Sequence, residues 1–329
     1  MGIVHLAPVG RSPGAVTAPL AHLKQVYDVQ QQSDKRLENS ILPRRLGYPA
    51  EAVVLFVSEE MYRGQKYHTA YEAVYNTYGS SKASKTYQES DGVKVTDIIA
   101  EFAGRELSSE KITLYVRRVD LDSFDDCFRA IAETVLALGR PDDLGKTLWA
   151  NLTGGTNLLN AALLEVTFLS GLISSLYYIF AHPDELKYLQ PLSTDYRRYL
   201  ESHWRDIPVV KTAFDERYRQ LLLFLADNPG WWESGDLLTH LQNHLPTLYG
   251  PIQLELFQKQ WLRKMGRELE KELNDHGQAT GRIQLSEAGY DAVARIEEDL
   301  FRTLVQRGES PLVDIQALRD KLEQYREPL

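Results

Sequence analysis

Asn151-Leu-Thr-Gly-Gly-Thr-Asn157 joins two segments of different period. Before it, Lys146–Leu152 is a short apolar run with the look of a buried strand. After it, Leu158–Leu169 carries apolar residues at helical spacing. A strand that ends in two glycines and opens a helix is a phosphate-cradling arrangement. Glycine lets the backbone approach an anion, and the first N–H groups of a helix have no partner inside the helix.

Working outward, the first two hundred residues alternate strand and helix patterns. Ile3–Val9 reads as a strand, Ala15–Tyr27 as a helix, Ala52–Ser58 as a strand, and Val93–Phe102 as a helix. Ile112–Val119, Phe124–Leu138 and Ser175–Phe180 continue as strand, helix and strand, with Lys187–Leu192 as a short edge strand because of its proline. Strands separated by helices imply parallel pairing through right-handed crossovers, hence an α/β doubly wound, Rossmann-like sheet. Such sheets bind ligands at the carboxyl ends of their strands. A second glycine turn, Gly10-Arg-Ser-Pro-Gly14, follows the first strand and is expected on the same sheet edge. Residues 60–91 are an insertion expected to rim that edge.

Gly10–Gly14 also fits the G-x-S-x-G pattern of hydrolases. Pro13 argues against that chemistry, since it removes a donor where the turn normally supplies an oxyanion N–H. A ligand-binding turn fits better: Arg11 supplies a cation, Ser12 a hydroxyl and Gly10 access. The second turn lacks the Walker lysine, with Asn157 in its place, and no G-x-G-x-x-G is present. Mononucleotide hydrolysis and dinucleotide redox chemistry are disfavoured.

After Ser193 the pattern becomes helical: Ala213–Ala226, Glu233–His244 and a long helix over Leu254–Asn274. A β-ribbon over Gly277–Ser286 and a helix over Glu287–Arg307 follow. This order is that of a winged helix-turn-helix. Pro311–Tyr325 reads as a last amphipathic helix and a dimer contact. On the long helix, Lys259, Arg263, Lys264 and Arg267 gather cations for a DNA groove, and Arg282 adds one from the wing. Against that, the chain from Arg205 onward holds 16 Lys+Arg and 21 Asp+Glu, whereas most DNA-binding modules are clearly basic. DNA binding and a role in dimerisation or relay therefore both stay open. Trp231, Trp232 and Trp261 read as core rather than as a base-stacking platform.

The chain has 329 residues, 43% of them hydrophobic and 25% charged, as a two-domain globular protein would. Its net charge of −9 excludes a general nucleic-acid coat but leaves room for a local basic pocket. No apolar run approaches the roughly 20 residues of a membrane helix. No basic region precedes the first strand, which argues against a signal peptide, and Leu6 spoils a myristoylation motif at Gly2. Cys127 is the sole cysteine and falls in an amphipathic helix, the setting of a buried thiol. A cytoplasmic location without membrane association follows.

The two turns, Pro8–Gly14 and Asn151–Asn157, together resemble the CARF family, the CRISPR-associated Rossmann-fold sensors. The resemblance covers about residues 1–192. It implies a homodimer that binds cyclic oligoadenylate, such as cyclic tetra- or hexa-adenylate, across its two-fold axis in type III CRISPR antiviral signalling. Carried onto this chain, the ligand-binding residues are Gly10, Arg11, Ser12, Thr153, Gly154, Gly155, Thr156 and Asn157. The family often appends a winged helix. The implied layout is a CARF domain over 1–192, a linker over 193–208, a winged helix over 209–308 and a terminal helix over 309–329. The implied function is a ligand-controlled transcription regulator that touches DNA through its winged helix. The alternative is a metal-independent ring nuclease in which Ser12 orients the attacking 2′-OH. Ring-cutting members resemble one another in a lysine at the end of the second turn, and here Asn157 departs from them. No cofactor or metal is implied.

Overall fold

The computed structural model describes residues 2–10, 13–32, 48–64, 94–107, 112–139, 147–180, 194–209, 216–263, 265–305 and 311–329. They form two units: 1–212 together with 314–329, and 213–313.

The first unit is built on five parallel strands. They are β1 (Ile3–Pro8), β2 (Ala52–Val57), β3 (Thr113–Arg118), β4 (Thr147–Asn151) and β5 (Ile173–Ile179). β1 and β2 are buried along their whole length, as central strands covered on both faces must be, and this is why they read as unbroken apolar runs. Two antiparallel strands complete the sheet: β6 (Trp204–Ile207) beside β5, and β10 (Arg326–Glu327) beside β3. The order is β10-β3-β2-β1-β4-β5-β6.

Helices α1 (Gly14–Gln32), α2 (Glu59–Arg63) and α3 (Val95–Glu106) accompany the steps from β1 through β2 to β3. Helix α4 (Phe124–Leu138) then returns the chain across the sheet to β4, and α5 (Asn157–Ser170) leads on to β5. The stepping direction thus reverses between β1 and β4, and right-handed crossovers then place the two groups of helices on opposite faces. Val16 and Leu20 of α1 and Ile98, Ile99 and Phe102 of α3 pack with Val53, Leu55 and Val116 of the sheet. On the other face α4 packs against α5. The doubly wound, mostly parallel α/β sheet expected from the sequence is therefore present.

Two expectations about this unit change. The segment 193–208 is no linker: it forms α6 (Thr194–His203) and β6, and Leu200 and Trp204 join Ile3, Trp149 and Tyr177 in a core cluster. Burying Leu200 and the Trp204 indole, which stacks 4.4 Å from the Tyr177 ring, commits this stretch to the fold. The tail is likewise part of this unit. Helix α13 (Ile315–Glu323) packs on α4, and β10 then pairs Arg326 with Tyr115 and Glu327 with Leu114. The expected edge strand 187–192 and the insertion from residue 65 onward lie outside the described residues.

The second unit contains α7 (Glu216–Asp227), β7 (Trp232–Glu233), α8 (Ser234–His244), α9 (Pro246–Tyr249) and α10 (Leu254–Phe257). After them come β8 (Leu269–Leu273), β9 (Ala279–Leu285), α11 (Glu287–Ile296) and α12 (Asp299–Val305), and the strands form an antiparallel sheet in the order β7-β9-β8. The single long helix expected over 254–274 is not there. α10 passes into a π-helical turn, Gln258–Leu262, and the chain then turns into β8, which pairs Leu269 with Leu285. Gly266 interrupts the helical run, and Leu269 at the start of β8 is buried in the ribbon. No helix among the described residues is long and apolar enough to cross a membrane.

Candidate functional site

The reversal between β1 and β4 places their carboxyl ends side by side, and both glycine turns leave from there. They touch. A Cβ on Gly154 would lie 2.6 Å from the Pro8 carbonyl oxygen, and one on Gly155 would overlap the Pro8 ring. A Cβ on Gly10 would come within 3.3 Å of the Gly155 nitrogen. Gly155 also has φ +82°, a left-handed conformation that side chains disfavour. Glycine is needed at 154 and 155 so that the second turn can lie on the end of β1.

Polar side chains fix this turn. Buried Asn151 accepts from the Thr153 N–H at 2.8 Å and donates to the Ala15 carbonyl at 2.9 Å. The Thr153 hydroxyl oxygen accepts from the Ile179 N–H at 3.0 Å, tying the turn to the end of β5. Thr156 caps α5, its hydroxyl accepting from the Leu159 N–H at 3.3 Å. Thr153 and Thr156 thus hold the turn, while Thr156 and Asn157 are exposed at its mouth. The first turn of α5 contains no acidic residue, so the positive end of the helix dipole is left for an outside anion. Of the sequence candidates, Gly10, Thr153, Gly154, Gly155, Thr156 and Asn157 therefore meet at one place. Arg11 and Ser12 lie outside the described residues.

A cavity of about 710 Å³ opens at the same edge. Ser58 and Glu59 line it from the end of β2, Arg118 and Asp120 from the end of β3, Thr156 from the glycine turn and Tyr325 from the tail. Glu60, Asp122 and Asp126 add further carboxylates. Arg118 lies 3.4 Å from Glu59 and 5.0 Å from the Tyr62 ring centre. The loop after β3 is closed on itself: the Asp120 N–H donates to Asp126 at 2.7 Å, and the Asp122 N–H to Asp120 at 3.0 Å. These residues were missed in the sequence, although the rule that pointed to the glycine turns applies equally to the ends of β2 and β3. Tyr325 had no signal, being brought in only by the pairing of β10 with β3.

Cys127 is fully buried and donates to the Asp120 carbonyl at 3.3 Å. Burial, with Asp126 and Asp120 nearby, pushes its thiol up to about 11, which makes it a structural residue.

In the second unit the candidate DNA contacts do not form one helical face. Lys259 lies in the π-helical turn and pairs with Glu255 at 2.5 Å. Arg263 and Arg267 are exposed beyond that turn, and Lys264 lies outside the described residues. Arg282 on β9 stands 3.8 Å from both Glu233 and Glu272. Trp261 is buried, as expected, and Trp231 is 40% exposed, against expectation, because it stands in the bend before β7.

No family model matches the chain. An uncharacterized protein of Archaeoglobus fulgidus is 29% identical over 192 residues, which are 55% of this chain and 57% of that protein. The chain thus spans little more than half the length of the relative it matches. Among solved structures, Enterococcus italicus Csm6 bound to cyclic hexa-2′-fluoro-hexa-dAMP aligns with 75% of this chain and 49% of its own, at a TM-score of 0.34 and 15% identity.

Proposed function

We propose that this protein senses cyclic oligoadenylate in type III CRISPR antiviral signalling, binding the ring between two copies of its first unit. One observation carries the reading: both glycine turns meet where the strand order reverses, beside an α5 N-terminus with no acidic residue of its own. Ligands of open α/β sheets bind at such a reversal. Backbone N–H groups at a helix start suit phosphates. A ring that repeats one phosphate link suits a site repeated by a two-fold axis.

The output in this reading is the second unit acting as a winged helix. Helices followed by a three-stranded antiparallel ribbon sheet and a further helix support that reading. The ring alters the hold of this unit on DNA through its different affinity for two arrangements of the dimer. Arg263 and Arg267 are the exposed cations that would carry the DNA contact, since Lys259 and Arg282 already face carboxylates.

The test is calorimetric titration of the whole protein with cyclic tetra- and hexa-adenylate, followed by separation of the products. Saturable binding of the intact ring is expected, and no binding of either ring overturns the sensor. Linear products at many turnovers would replace it with a ring nuclease. Promoter DNA binding measured against salt, with and without ring, tests the output. The absence of salt-sensitive DNA binding both with and without the ring overturns the regulator.

A further inference from the structure

The start of α5 offers backbone N–H donors to phosphates. The cavity beside it has the opposite chemistry. At about 710 Å³ it falls within the roughly 300–1,000 Å³ range of small-molecule sites, and it shares Thr156 with the second turn. Carboxylates dominate its wall among the described residues, and Arg118 faces Glu59. A phosphate is repelled there, whereas a group rich in N–H donors is accepted. The exocyclic amine of adenine is such a group.

Val119 and Leu121 add apolar wall, and Tyr325 adds an aromatic ring. Tyr325 is held in place on three sides: its carbonyl accepts from the Val116 N–H at 2.8 Å, its ring centre lies 5.4 Å from the Arg117 guanidinium, and the next residues pair with β3. A fixed ring on the wall of this cavity is a stacking surface for a base.

We propose that this cavity seats an adenine of the bound ring against Tyr325 while the adjoining phosphate rests on the glycine turn. This rests on the cyclic oligoadenylate reading above. It makes the C-terminal strand part of the ligand site. Residues 314–329 follow the second unit in sequence but fold on the sheet of the first.

The experiment titrates the full chain and three variants with cyclic tetra- and hexa-adenylate, with thermal melts run alongside. Tyr325→Ala is expected to weaken binding by about tenfold, the scale of one lost base–aromatic stack, and Tyr325→Phe to restore it. Lys321→Ala loosens the same tail away from the cavity and is expected to leave affinity unchanged. Unchanged affinity in Tyr325→Ala, or an equal loss in Lys321→Ala, overturns the base site while the sensor reading stands. Failure of the unaltered chain to bind either ring overturns both.

Discussion

The Asn151 side chain donates to the Ala15 carbonyl at 2.9 Å and so ties the end of β4 to the start of α1. The same amide accepts from the Thr153 N–H, so one buried side chain ties the second glycine turn to the start of α1. Asn151→Ala leaves a buried carbonyl and an N–H without these partners, which costs about 2 kcal/mol. Asn151→Asp keeps the bond from Thr153 and loses the donor to Ala15. Urea unfolding is expected to rank stability as wild type, then Asp, then Ala, and affinity for cyclic tetra-adenylate is expected to fall in both variants. Wild-type stability in Asn151→Ala would show that the tie is not what holds the turns.

Gly154 and Gly235 predict opposite outcomes for the same substitution. A methyl on Gly154 meets the Pro8 carbonyl at 2.6 Å and Ala15 at 3.2 Å, backbone and helix that cannot move aside without parting the turns. Gly154→Ala is expected to cost about 1–3 kcal/mol, and ring binding with it. Gly235 in α8 has open space around it, and Ala there lowers the entropy of the unfolded chain. Gly235→Ala is expected to gain up to about 1 kcal/mol. Chemical unfolding of the two variants checks both signs.

The first unit was legible because its strands are buried on both faces, so that Ile3–Pro8 and Ala52–Val57 read as continuous apolar runs. Phe124–Leu138 was legible through its apolar spacing. What failed was non-local. β6 and β10 are short edge strands whose residues alternate poorly, and only pairing with β5 and β3 makes them strands. The cations of 259–267 have helical spacing, yet Gly266 and the β8–β9 ribbon take the chain elsewhere. Within the site, the glycines announced themselves by type. The carboxylates of the cavity look like any solvated charge until β2 and β3 are set beside β1.

Glu133 joins the tail to the sheet. Its carboxylate takes hydrogen bonds from Arg117, itself buried, and from Lys321 of α13 at 2.7 Å. Burial alone would raise this carboxyl, but the bonds and charges of Lys321 and Arg117 outweigh it and hold the group below its ordinary value of 4.5. A carboxyl depressed in the fold adds stability above its ordinary value and loses it as pH falls through the folded one. Glu133→Gln strands the buried Arg117 charge and is expected to cost about 3 kcal/mol. The half-exposed Lys321 matters less, and Lys321→Ala is expected to cost under about 1 kcal/mol. Amide exchange at Tyr325–Glu327, compared between the two variants, reads the loss directly. Equal exchange in both would remove Glu133 as the tie.

His5 predicts a second acid-sensitive window, higher than that of Glu133. It sits inside β1 with both ring nitrogens engaged: 2.7 Å to the Pro49 carbonyl and 3.1 Å to the Tyr177 hydroxyl. A carbonyl only accepts, so Nε2 carries the proton and Nδ1 accepts from Tyr177. Full burial lowers the ring from 6.5 to about 4, against the smaller raising effect of the Pro49 bond. Between those values the unfolded chain takes up a proton that the folded chain refuses. Stability contributed by His5 is complete above about pH 6.5 and falls by about 1.4 kcal/mol per pH unit toward pH 4. His5→Gln has no ring to titrate, so its urea stability, plotted from pH 7 to 4, is expected to fall less steeply than that of the wild type by that slope. Parallel curves over this interval would mean that His5 does not hold its neutral form in the fold.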